Sequence, residues 1–247
     1  ESDLKYTDLS YDGNGLLAGY FYSNTYSIWG GATFTTTMTR EITRDGDRIL
    51  SEKVTNIDGT LLTNEVKNIK YCYDADGICG MFVDGSQYFF RRNIFGDVTE
   101  IYDKNGVKKA EYAYDAWGTC YLMLDTDGVG SLNPFRYRGY YMVSCIGLYY
   151  LTTRFYDYTT GRFLNADVPS ICFDDGLTLP EGCNLYSYCH NNPISYVDPT
   201  GHFAISTLVV IIMTTVGVIV GGVYAYDKAY NDGARDWELF GWTLLGA

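Results

Sequence analysis

Two aspartates stand close to prolines in turn-rich surroundings. Asp167 lies in GRFLNADVPS, one position before Val168-Pro169, and Asp198 lies in YVDPTG, directly before Pro199. Carboxylates brought together as a pair can divide acid and base roles. They cannot both ionise easily, so one keeps a proton while the other activates water. The same residues also have a plainer reading. Aspartate near proline starts turns by bonding its own backbone, and Asn191-Asn192-Pro193 is a third turn former of this kind. Residue types alone leave both readings open, and the turn is the commoner outcome.

Other groupings offer less chemistry. Cys189 and His190 are adjacent, and neighbours in an extended segment point to opposite faces, which argues against a nucleophilic pair. Asp174-Asp175-Gly176 lacks the ligand spacing and closing glutamate of a calcium loop. Ser195 has no GxSxG context. Arg136 and Arg138 alternate around Tyr137 and are expected to stack on tyrosines or pair with acids. The seven cysteines, at 72, 79, 120, 145, 172, 183 and 189, are odd in number and form no CxxC, which argues against a zinc site. They are expected as half-buried free thiols. With no nucleophile–base set and no cofactor loop, an enzyme acting on an external substrate has no support, and neither cofactor nor metal is expected.

The elements that must position these residues are legible in composition and repeats. The chain has 247 residues and a net charge of −12, which argues against a nucleic-acid partner. Its 25 tyrosines and 27 glycines favour an all-β protein with many turns. A short phrase recurs, an aromatic followed by Asp, two variable residues and Gly: SYDGNG (10–15), CYDADG (72–77), IYDKNG (101–106) and AYDAWG (113–118). FYDYTTG (155–161) is a longer variant, and TRDGD and NIDGT are weaker echoes. Asp opens such a turn and Gly supplies the positive φ that closes it. The flanks alternate with period two, so residues up to about 165 read as successive β-hairpins.

The order of these phrases carries a resemblance. RNIFGDVTEIYDKNGVKKAEYAYDAWG (92–118) resembles the YD repeats of RHS proteins. The following FRYRGYY, GLYYLTTRFYD, TGRF, YCHNNP and DPTG, in that order, resemble the RHS repeat-associated core of polymorphic toxins and toxin-complex C proteins. Residues 69–201 carry the clear match, and 1–68 fit as degenerate repeats. The resemblance implies a hollow β shell of hairpins wound in a spiral, closed by the core, enclosing a variable toxin polypeptide that follows it. It also implies an aspartyl-protease-like self-cleavage. Asp167 and Asp198 fall on the two essential carboxylate positions, Arg154 on the upstream arginine, and the cut is expected beside His202–Phe203. The first segment departs from the family's Asp-Pro-x-Gly, reading Asp167-Val168-Pro169-Ser170, and CFDDGLTLPEG lengthens the spacer between the aspartates.

After the core the composition switches. Phe203 to Tyr226 carries no charge over 24 residues, enough to cross a bilayer as a helix, and contains a GxxxG from Gly217 to Gly221. Residues 202–247 are therefore expected as apolar helices, membrane-interacting or kept inside the shell, with a buried strand pair as the alternative for the apolar stretch. With no initiating methionine and no basic-start leader, the chain reads as a fragment of a longer protein. Two functions follow. One is a toxin carrier, secreted or on a bacterial cell surface, whose partners are its own C-terminal polypeptide, further repeats of the same chain and a membrane. The other is a non-enzymatic cell-surface or wall-associated protein that uses a tyrosine-rich surface for contact.

Overall fold

The computed structural model describes residues 4–27, 33–58, 63–167, 184–202 and 205–206. Ten strands follow one another across a single antiparallel sheet in sequence order. They are β1 (Leu4–Tyr11), β2 (Leu17–Ser27), β3 (Thr33–Asp45), β4 (Arg48–Asp58) and β5 (Thr63–Asp74). The second half comprises β6 (Gly77–Val83), β7 (Ser86–Arg92), β8 (Val98–Asp103), β9 (Lys108–Tyr114) and β10 (Cys120–Asp125). Position 68–69 lies within β5.

The recurring phrase builds its hairpins as the residues require. Asp12 Oδ1 accepts the N–H groups of Asn14 (2.8 Å) and Leu16 (2.9 Å), and Asp103 Oδ1 accepts those of Asn105 and Val107, each at 2.9 Å. Asp115 repeats the pattern with Trp117 (2.9 Å) and Thr119 (2.8 Å). The closing Gly118 has φ +98°, and a Cβ there would meet the Tyr137 ring at 2.7 Å, so conformation and space both demand glycine. One turn of this type starts from Asn93, whose Oδ1 accepts the N–H of Phe95 and of Asp97.

A second, four-stranded sheet follows: β11 (Tyr141–Val143), β12 (Leu148–Leu151), β13 (Arg154–Asp157) and β14 (Arg162–Phe163). It is buried on both faces, and its alternation divides two cores. Tyr141, Val143 and Tyr150 join Leu17, Val54, Ile69, Met81 and Ile101 of the large sheet. Met142, Tyr149 and Leu151, with Tyr156 and Phe163, point the other way into a cluster containing Tyr137, Tyr140, Tyr188, Cys189 and Val197. Each large apolar side chain so buried stabilises by about 1.5–3 kcal/mol. Tyrosine hydroxyls tie the second core to one hairpin turn. Tyr137, Tyr156 and Tyr149 donate to the carbonyls of Ala116 (2.8 Å), Trp117 (2.7 Å) and Gly118 (2.9 Å).

The arginines flanking Tyr137 stack as expected. The Arg136 guanidinium lies 5.7 Å from the centre of the Tyr112 ring, and that of Arg138 lies 4.5 Å from Phe95 and 5.0 Å from Tyr137. The five cysteines among the described residues carry free thiols, Cys189 buried and the others half-buried.

At Ile205–Ser206 the tail follows the strand alternative rather than the helical one. Ile205–Ser206 are not helical. They form strand β16 (Ile205–Ser206), antiparallel to β15 (Tyr196–Val197), with Tyr196 opposite Ser206 and Val197 opposite Ile205. A β-branched residue beside an available strand gains ladder hydrogen bonds that a short helix in water would not. The remainder of the apolar stretch Phe203–Tyr226 lies outside the described residues, as does the chain beyond it. Among the described residues, no helix is long and apolar enough to cross a membrane.

Candidate functional site

Arg154 opens β13 directly after a tight turn in which Thr152 has φ +62°. Its backbone pairs with Leu151, which turns its side chain into the second core. There the guanidinium stacks 3.6 Å from the centre of the Phe163 ring. Asp198 follows β15, and Asp167 follows β14. Arg154 Nη2 lies 2.8 Å from Asp167 Oδ2 and 3.5 Å from Asp198 Oδ2, so one nitrogen touches both carboxylates. Arg154 Nη1 donates to the Leu185 carbonyl at 3.1 Å, and Nε donates to the Gly201 carbonyl. Arg154 and Asp198 are 4% and 2% exposed, and the Asp167 side chain 9%.

Asp198 is also a turn former. Its Oδ1 accepts the N–H groups of Thr200 (3.3 Å), Gly201 (2.8 Å) and His202 (3.1 Å), much as Asp12 and Asp103 do in the surface hairpins. Gly201 has φ +83°, and a Cβ there would meet the Leu151 carbonyl at 2.7 Å, so glycine lets this turn lie against β12. Tyr140 Oη donates to the Asp198 carbonyl at 2.8 Å and lies 3.1 Å from Tyr188 Oη. Asp167 is anchored by its N–H to the Leu185 carbonyl (2.9 Å), and its Oδ1 lies 2.9 Å from His202 Nδ1.

The three residues named from the sequence therefore meet. Phe203 lies outside the described residues, as do Val168-Pro169-Ser170 and the long spacer. Burial pulls the Arg154 guanidinium below its ordinary value, and Asp167 and Asp198 act in the opposite sense. A guanidinium touching both carboxylates relieves part of the like-charge pressure that the sequence reading relied on to hold a proton. The imidazole of His202, named from the sequence only as the residue before the cut, brings a titratable group to Asp167. No sequence signal marked that contact, because it joins positions 35 apart.

The rejected pair fails for a different reason from the one expected. Cys189, His190 and Asn191 are not extended but form a left-handed turn with φ of +49°, +52° and +58°. The Cys189 thiol is buried, which pushes it up to about 12, and the His190 ring packs edge-on against Tyr196. A thiol held protonated is a poor nucleophile. Among the described residues, no three His, Cys, Asp or Glu side chains are grouped to hold a metal ion.

A run of aspartate-opened hairpins joined edge to edge, packed on a tyrosine-lined closing sheet, defines a YD-repeat shell protein. The chain belongs to the teneurin YD-shell family, whose profile matches residues 50–194. It is 32% identical over 171 residues to the tRNA3(Ser)-specific nuclease WapA of Bacillus spizizenii, covering 64% of this chain and 7% of that protein. It is 41% identical over 68 residues to double-stranded DNA deaminase toxin A of Burkholderia cenocepacia, covering 28% of this chain and 4% of that one. The crystal structure of TcdB2-TccC3 without its hypervariable C-terminal region superposes with a TM-score of 0.59 at 21% identity, over 79% of this chain and 9% of that one. The chain thus spans less than a tenth of each of these relatives.

Proposed function

We propose that the chain is the closing part of a hollow, spirally wound YD shell in a secreted polymorphic toxin. In this reading the shell encloses the polypeptide that follows the core and is cut from it beside His202–Phe203. The observation that carries the proposal is the convergence of Asp167 and Asp198 on one Arg154 nitrogen, with the His202 N–H bonded to Asp198. The reaction consumes one water. Its oxygen bonds to the His202 carbonyl carbon and one of its protons passes to a carboxylate. The bond to the Phe203 nitrogen then breaks, and a proton ends on the departing amine. The relatives add support of a general kind. Their names assign a tRNA nuclease and a DNA deaminase, so proteins similar to this chain over a small part of their length carry different activities, which fits an activity placed outside the similar part.

A second reading treats the cluster as a buried tie in a non-enzymatic surface protein. Asp198 Oδ1 favours it, because three backbone N–H groups occupy that oxygen as they would in any aspartate turn. Its tyrosine-contact element divides the tyrosines: Tyr137, Tyr149, Tyr156 and Tyr188 are fully buried, whereas Tyr6, Tyr11, Tyr121 and Tyr186 are exposed.

Intact mass spectrometry of the full chain separates the two. Expected are fragments meeting at 202–203 for wild type and uncut chain for Asp198→Asn and Asp167→Asn. Wild type that stays whole removes the processing role.

A further inference from the structure

We propose that Cys72 and Cys79 form a dithiol that closes to a disulfide when the chain meets an oxidised thiol. Their pairing requires no cut at His202–Phe203. Cys72 lies in β5 and Cys79 in β6, on either side of the turn opened by Asp74. Across this hairpin Cys72 stands opposite Gly80 and Tyr73 opposite Ile78, so the register shifts and Cys79 is the extra residue of a β-bulge. Tyr71, Ile78 and Met81 are buried in the core, and Tyr73 packs against it. Their neighbours along each strand turn the other way. Cys72 follows Tyr71, Cys79 follows Ile78 and Gly80 precedes Met81, which sets all three on the opposite face. Phe89, the partner of Gly80 in β7, is exposed on that face. The bulge thus sets Cys79 and Gly80 together against Cys72, and the glycine adds no side chain between the two sulfurs. A Cβ at Gly80 would meet the Tyr88 carbonyl oxygen at 2.5 Å, so glycine is required there.

Both thiols are free and half-buried, so a small oxidant reaches them without opening the fold. Burial, then the Asp74 carboxylate and the Cys72 thiol, push the Cys79 thiol up, and the Arg92 guanidinium opposes them, which places Cys72 within electrostatic reach of Cys79. Facing residues on paired strands hold their Cβ atoms about 4.5–5.5 Å apart, and a disulfide needs about 3.5–4.5 Å. Closure therefore draws the two together by about 1 Å, a shift that a bulge, where the ladder is already interrupted, absorbs more readily than a regular pair. The oxidant is a small disulfide of the glutathione class. One cysteine thiolate attacks it, forms a mixed disulfide and expels a glutathione thiolate, which takes up the proton the cysteine released. The second thiolate attacks the cysteine sulfur of the mixed disulfide and expels the other glutathione in the same way. The chain loses two electrons and two protons, and the oxidant becomes two thiols. A reducing cell interior keeps the dithiol open, and oxidising surroundings close it.

The test exposes the full folded chain to oxidised glutathione and blocks the remaining thiols with iodoacetamide. Peptides are then mapped after chymotrypsin, which cuts at Tyr73 between the two cysteines. Expected is a pair of peptides joined through Cys72 and Cys79 and released by dithiothreitol, with neither linked to Cys120, Cys145 or Cys189. Alkylation of Cys72 should fall about tenfold or more on oxidation and return on reduction. Cys79→Ser, which removes one partner, should leave Cys72 only as a mixed disulfide with glutathione. The proposal is overturned if Cys72 and Cys79 are alkylated as fully after oxidation as before, or if wild type stops at mixed disulfides. It is overturned equally if either thiol links to another cysteine, Cys172 and Cys183 included. Should Cys79→Ser not fold, the wild-type map decides alone.

Discussion

Replacing Arg154 with methionine isolates the charge that holds the second core to the closing turn. Methionine keeps an apolar stem over Phe163 but withdraws the cation from Asp167 and Asp198 and the donors from the Leu185 and Gly201 carbonyls. Breaking a buried ion pair from one side costs about 3–5 kcal/mol, because the remaining charge stays buried without compensation. Domains of this kind hold only about 5–15 kcal/mol in total. With a urea slope of about 3 kcal/mol per molar, the midpoint should fall by about 1 M or more. The loss should depend on pH with a definite sign. Buried carboxylates without a counterion have folded pKa values above their unfolded ones, so they destabilise above the ordinary aspartate value and cease to do so once protonated. The deficit of Arg154→Met should therefore be largest at neutral pH, shrink as the pH falls and vanish below about pH 4. Adding Asp167→Asn and Asp198→Asn to Arg154→Met removes the stranded charges and should recover most of the midpoint at pH 7. Urea titration followed by tyrosine and tryptophan fluorescence measures all three proteins. A single-variant shift under about 0.3 M, or a triple variant no better than the single, would refute the account of the cluster given above.

Two further outcomes follow from the hairpin turns and the thiols. Gly118→Ala forces a side chain into φ +98° and against the Tyr137 ring and should cost about 3 kcal/mol, whereas Gly106→Ala, at φ +77° with open space, should cost about 1 kcal/mol. Equal losses in thermal melts would show that the 115–118 turn is not docked on Tyr137. Cys189, its thiol pushed up to about 12 by burial, should resist iodoacetamide at neutral pH in the folded chain while the half-buried Cys72 reacts first, and urea should abolish the difference. Peptide mapping showing Cys189 labelled as fast as Cys72 would contradict its burial.

The turns were legible because each is written in adjacent residues. Asp and Gly three apart define their own hydrogen bonds, and Asp12, Asp74, Asp103 and Asp115 all open turns where the phrase placed them. Two turns lay in the same grammar but were passed over. Asn93 replaces the aspartate with a side chain of equal reach, and Asp84-Gly85, with φ of +47° and +87°, is the two-residue hairpin that DG between strands signals. The grouping of Asp167, Asp198 and Arg154 came from family resemblance rather than from spacing, since nothing local joins β13 to a turn 44 residues later. The buried pair of Arg40 Nη1 and Glu52 Oε2, at 2.8 Å across β3 and β4, had no sequence signal at all. Arg40 Nη2 also donates to the Leu132 carbonyl at 3.0 Å, a contact between positions 92 apart. Asp167-Val168-Pro169-Ser170 looked like a damaged motif, yet the carboxylate of Asp167 still reaches Arg154. The aspartate is held through its own N–H to Leu185, a contact that does not require the family's proline.

The tyrosine ties to Ala116, Trp117 and Gly118 have a consequence for where such a protein can be assembled. A phenol donating to a peptide carbonyl is indifferent to oxidants, reductants and chelators, unlike a cystine or a zinc knot. Joints of this sort set identically in a reducing cell interior and in the oxidising medium outside. A sheet stitched this way takes the same shape whichever of the two surroundings it folds in.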